Sequence, residues 1–148
     1  MFTFFNQFDT LSNAQVTLKI TEKVQGNDVF LPFYYYDIYE NSTGDLIGKI
    51  SIRIGNNYHA YYNGHIGYEI DKAYRGHHYS YYAILLVLTV ARAHHMHTLN
   101  ITCKVSNKAS RKIIEMTQAT FKEISKIPTD CFFYRENIED YCIYVLNL

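Results

Sequence analysis

Proline is scarce in this chain, with Pro32 and Pro128 the only two. No segment is rich in glycine and serine, and no stretch repeats, so a linker, a low-complexity tract and a repeat array are all excluded. Neither sign of charge is in excess: 14 Lys and Arg balance 14 Asp and Glu. Dedicated nucleic-acid binders carry a basic excess and membrane anchors a polybasic cluster, so neither nucleic acid nor membrane is expected as a partner. Cysteine is limited to Cys103, Cys131 and Cys142, with no C-x-x-C pair. That removes a zinc ribbon and a redox motif and leaves free thiols in a reducing compartment as the expectation. The longest apolar stretch, Ala83 to Ala91, is interrupted by Thr89 and is too short to span a bilayer. Met1 to Asp9 lacks both a positive n-region and an apolar h-region. A cytoplasmic protein is the expectation.

What is present is ample core-forming material. Of 148 residues, 48% are hydrophobic, which suits one folded domain over residues 1–148. Phe33 to Tyr39 is aromatic and β-branched and predicts a strand. Asn41 to Asp45 is a turn cluster, and Leu46 to Ile54 ends in strict alternation, the pattern of a half-buried strand. Gly55-Asn56-Asn57 opens a polar, tyrosine-rich loop, and Gly64 to Ile70 predicts the next strand.

The period then changes. Tyr79 to Met96 carries apolar residues at helical spacing and predicts a helix packed on the sheet. Leu99 to Val105 predicts a strand, so strand, helix and strand form a βαβ unit with parallel neighbours. Asn107 is a favoured N-cap for a second helix, Lys108 to about Thr117. Strands at about Ala119 to Ile124 and Tyr141 to Leu146 follow. The class is α/β with a mixed sheet.

The segment Gly64 to Ser80 carries the chemistry. A strand ends at Ile70, a short loop follows, and a helix begins near His78. Free amides at a helix N-terminus bind phosphate, and Arg75 adds a cation beside them. The loop Arg75-Gly76-His77-His78-Tyr79-Ser80 resembles the coenzyme A pyrophosphate loop of the GNAT N-acetyltransferases, Gln/Arg-x-x-Gly-x-Gly/Ala. His78 stands at the central glycine and Ser80 at the small final residue. Ile101-Thr102-Cys103 followed by Asn107-Lys108-Ala109-Ser110-Arg111-Lys112 resembles the family's fifth strand and next helix. Ile143 to Leu148 resembles its last strand. Tyr62 to Tyr68 is similar to a group of small bacterial acetyltransferases of unassigned substrate. The resemblance runs from about Phe33 to the C-terminus.

The resemblance implies a mostly antiparallel sheet with flanking helices and a splayed central strand pair. It implies acetyl-CoA as co-substrate, its pantetheine arm lying along Tyr68 to Ile70, with Asn107 and Ser110 against that arm. A backbone amide near Ile70 would stabilise the thioester oxyanion, and Glu69 is the implied catalytic base. The tyrosine that many members place seven residues after the asparagine is Ile114 here. The acceptor is a primary amine of unknown identity, arriving over the face formed by the N-terminal third and the tyrosine loop. Oligomeric state is left open, a homodimer through the C-terminal strands being one possible arrangement. The reading from another class is a non-catalytic coenzyme A-binding or protein-interaction module on the same fold.

His94, His95 and His97 suggest a metal cluster at first sight. Neighbouring helix positions diverge by about 100 degrees, so no metal is assigned to them. Most of the fifteen tyrosines are expected in core and edge packing, and Cys103 as a buried strand thiol.

Overall fold

The computed structural model describes residues 1–148. Five strands form one sheet in chain order: β1 (Thr10–Ser12), β2 (Val16–Val24), β3 (Phe33–Glu40), β4 (Leu46–Arg53) and β5 (Ile66–Ile70). Three strands form another in the order β6-β8-β7, with β6 at Thr98–Lys104, β7 at Thr120–Ser125 and β8 at Tyr141–Asn147. Three helices join them: α1 (Tyr58–Asn63), α2 (Tyr79–Ala93) and α3 (Lys108–Met116).

Alternation places the core. Tyr34, Tyr36 and Ile38 of β3 are fully buried, as are Ile50 and Ile52 of β4. They pack against Ala83, Ile84, Val87, Val90 and Ala91 of α2, which supplies the wide apolar face its spacing predicts. Each Ile or Val buried there contributes about 1.5–3 kcal/mol. Leu99, Ile101 and Cys103 of β6 and Ile114 of α3 continue the same core into the second sheet.

Three expectations change. The chain before Phe33 holds two strands rather than none. Val16, Leu18 and Ile20 of β2 alternate with polar residues, and β2 pairs along all of β3. The tyrosine-rich segment is not a loop. Asn57 caps α1 by accepting from the Ala60 amide at 2.9 Å, and Gly64 ends it at φ 81°.

The third change concerns the βαβ unit. Every ladder is antiparallel, and β5 and β6 do not pair as parallel neighbours. They meet at one point. His65 N–H donates to Asn100 O at 2.8 Å, and the Asn100 amide donates to His65 Nδ1 at 2.9 Å. An imidazole thus takes the donor that a ladder needs, while the His65 carbonyl already accepts from Arg53 N–H at 2.8 Å. No further rung forms, and the strands part beyond this junction. These two strands are the splayed central pair that the resemblance implies.

Candidate functional site

The gap between β5 and β6 opens into a cavity of about 770 Å³. Its walls include Tyr68, Glu69 and Ile70 of β5, Arg75, Gly76, His78, Tyr79 and Ser80 of the loop into α2, and Asn107 and Ser110 of α3. Every site residue expected from the sequence except His77 therefore borders one cavity. His77 is exposed outside it. Thr102, Cys103 and Lys104 of β6 complete the far wall.

The loop is shaped for an anion. Gly76 has φ 90°, and a side chain there would meet nothing within 4 Å. His78 has φ 63°, ψ 23°, the left-handed region, and its side chain makes no cap bond. A glycine usually meets that demand, and histidine is among the residues that adopt it more readily than most. None of the amides from Gly76 to Tyr81 donates to a protein group. Such a run at a helix start binds anionic oxygen through the donors and the macrodipole. Arg75 is held in place by its Nε, which donates to the Ile70 carbonyl at 2.9 Å and leaves the end of the guanidinium free. A short 3-10 turn, Lys72–Tyr74, precedes it.

Glu40 braces the loop from β3. Its buried carboxylate accepts from the hydroxyls of Tyr79, Ser42 at 2.8 Å and Thr43 at 2.9 Å. These hydrogen bonds, Tyr79's first, hold its pKa below the usual carboxylate value. Nothing in the local sequence marks Glu40 for this role, since Tyr79 lies far along the chain.

Across the gap, Tyr68 and Ser110 join β5 to α3 through a hydroxyl–hydroxyl bond of 2.5 Å. Burial pushes the Tyr68 phenol up to about 12. Asn107 caps α3, its Oδ1 accepting from the Ser110 amide at 3.0 Å, so its amide nitrogen remains for another partner. Ile114 is fully buried. Cys103 is buried in β6, and desolvation raises its thiol to about 11, well above the range of a reactive thiolate.

Alternation sends Tyr68 to the helix side and Glu69 to the opposite, exposed face. Gly48 lets β4 pass close to β5: any side chain there would lie 2.2 Å from the Glu69 carbonyl. Of the histidine cluster, His94 turns into an aromatic nest, bonded through Nε2 to the Tyr34 hydroxyl at 2.8 Å and stacked on Phe5.

The model of the family described as "Acetyltransferase (GNAT) domain" matches residues 3–119. The chain belongs to the GNAT acetyltransferase family. The match begins well before Phe33, so it includes the N-terminal strands that the resemblance left out. No curated protein sequence matches the chain. Among solved structures it is similar to the ribosomal-protein-S5-alanine acetyltransferase of Vibrio fischeri, at TM-score 0.68 and 13% identity over 93% of this chain and 96% of that one. It is also similar to a Salmonella typhimurium acetyltransferase that modifies the N-terminal serine of ribosomal protein L7/L12. There the TM-score is 0.59 and the identity 17%, over 78% of this chain and 64% of that one. Mycobacterium smegmatis RimJ, solved with CoA-disulfide, gives TM-score 0.59 and 15% identity over 78% and 53%. The chain spans about two thirds and about half of the latter two proteins. At these identities the likeness establishes the GNAT fold.

Proposed function

We propose that this protein transfers an acetyl group from acetyl-CoA to a primary amine. The observation that carries the reading is the unladdered edge of β5 opening onto a loop of free amides, in a chain of the GNAT family. The residues fit the co-substrate. Gly76 to Ser80 and Arg75 suit the pyrophosphate, and the β5 edge from Tyr68 to Ile70 suits an extended arm. Asn107 and Ser110 face that arm from α3. Structural neighbours solved with CoA and acetyl-CoA support the same assignment.

Acetyl-CoA supplies an activated acyl group when bound. In the transfer the amine nitrogen bonds to the thioester carbon, the C–S bond breaks, and CoA leaves as its thiolate, which takes up the second proton that the nitrogen sheds as the amide forms. Glu69, on the face away from the loop, takes the proton that the acceptor ammonium must lose. A backbone amide near Ile70 stabilises charge on the carbonyl oxygen. The expected assay result is release of CoA thiol that depends on added amine. Glu69→Gln is expected to lower that rate by about 10²–10⁴ while acetyl-CoA affinity holds. Binding without amine-dependent release contradicts the reading and leaves a non-catalytic CoA-binding module.

A further inference from the structure

The outer face of the first sheet, the face that carries Glu69, distributes its charges unevenly from rung to rung. Its register sets Lys19, Asp37, Lys49 and Glu69 on one rung across β2 to β5, signs alternating, so that Lys49 lies between two carboxylates. The next rung on this face is Glu22, Tyr35, Ser51 and Gly67, its acid at the far β2 edge and its β4–β5 end small and neutral. The rung after that sets Arg53 beside Phe33, with no acid on it.

Arg53 is half-buried and has no counter-ion, because the one ion pair in the structure joins Lys23 to Asp9. Its single polar contact is from Nη1 to the Gly64 carbonyl at 3.3 Å, just past the end of α1. A guanidinium has five N–H donors, so most of its capacity is unused. Burial pulls its pKa down, as expected of an uncompensated cation. His65 beside it offers no charge. Its Nδ1 accepts from the Asn100 amide and its Nε2 donates to the Gly55 carbonyl at 2.7 Å, which is the neutral ring.

We infer that Arg53 binds a carboxylate of the acceptor, and that the acceptor is a peptide N-terminus with an acidic residue a few positions in. The inference rests on the acetyl-transfer reading, which puts the reacting amine at Glu69. Four residues of β4 separate the Glu69 rung from Arg53, about 13 Å at 3.3 Å per residue. An amino acid carries both groups on one carbon and cannot bridge that span. An extended peptide covers it in about four residues, over a floor of Gly67 and Ser51. Side-chain reach widens the register to roughly the third to fifth residue.

The test is calorimetry on the CoA-loaded protein with the peptide Ala-Gly-Ser-Asp-Gly-Gly and its Asn and Lys counterparts. The Asp peptide is expected to bind about tenfold to a hundredfold more tightly than the Asn peptide. Arg53→Gln is expected to bring the Asp peptide down to the level of the Asn peptide. Arg53→Glu is expected to invert the order in favour of Lys, an inversion that a merely structural arginine would not produce. If Arg53→Glu fails to fold, the Gln variant carries the comparison. Equal affinity for all three peptides, no binding of any, or a Gln variant that keeps the Asp preference overturns the inference. Binding is scored without turnover. A protein that prefers the Asp peptide yet releases no thiol upholds Arg53 and contradicts the acetyl-transfer reading alone.

Discussion

Tyr68 and Ser110 touch across a gap that no ladder bridges. Their hydroxyls lie 2.5 Å apart, one on β5 and the other in the first turn of α3. This bond ties β5 to α3 across the cleft, where β5 and β6 do not pair. Removing it with Tyr68→Phe is expected to cost about 1 kcal/mol, the usual net worth of a neutral hydrogen bond. The thermal midpoint should fall by roughly 2–4 °C. An unchanged midpoint in a calorimetric scan would mean that the pair does not couple the two elements.

Arg75 is fixed by its bond to the Ile70 carbonyl beside the free amides. Arg75→Ala is expected to weaken acetyl-CoA binding by about tenfold to a hundredfold, the range of one charge-assisted bond. Its side chain is exposed, so the fold should be unaffected. Calorimetric affinity alongside a circular-dichroism melt separates the two effects.

His78 occupies a left-handed position with its side chain in solvent. A residue with a Cβ is strained there by about 1–2 kcal/mol relative to glycine. His78→Gly is therefore expected to keep or raise acetyl-CoA affinity while relieving that strain. A tenfold loss of affinity would show instead that the imidazole contacts a phosphate.

Glu40 links pH to the loop. Its folded pKa lies below the ordinary value because Tyr79, Ser42 and Thr43 donate to it. A depressed carboxylate contributes stability that is present above its unfolded pKa and is lost as pH falls through the folded value. The protein is thus expected to lose stability on acidification below about pH 4.3. Tyr79→Phe should make that loss smaller between neutral pH and pH 3, since the largest cause of the shift is gone. Parallel acid titrations of the melting midpoint would contradict this role for Glu40.

How far the sequence reveals the structure depends on the range of the interaction. The helix from Tyr79 and the strand alternation of Lys49 to Ile54 are local patterns, and both form where their periods predict. The loop proposed to hold the pyrophosphate is legible as a candidate because Arg75, Gly76 and the start of α2 are contiguous. Helix α1 is too short for periodicity to declare it, although Asn57 and Gly64 bracket it with cap residues. The broken β5–β6 pairing depends on an imidazole reaching across to Asn100, which no local pattern encodes. Glu40 and Arg53 have the same property: the first matters because of Tyr79, the second because its rung lacks an acid.

The central claim is that acetyl-CoA occupies the cleft between β5 and β6, a site that exists only in the folded chain. A ligand binding only the native state adds about 2.7 kcal/mol at a hundredfold excess over Kd. For a domain near this size that raises the melting midpoint by about 5–10 °C. A thermal-shift titration measures it directly. The account predicts this rise with acetyl-CoA and much less with adenosine, which lacks both the pyrophosphate and the pantetheine arm. A flat midpoint up to millimolar acetyl-CoA would contradict it.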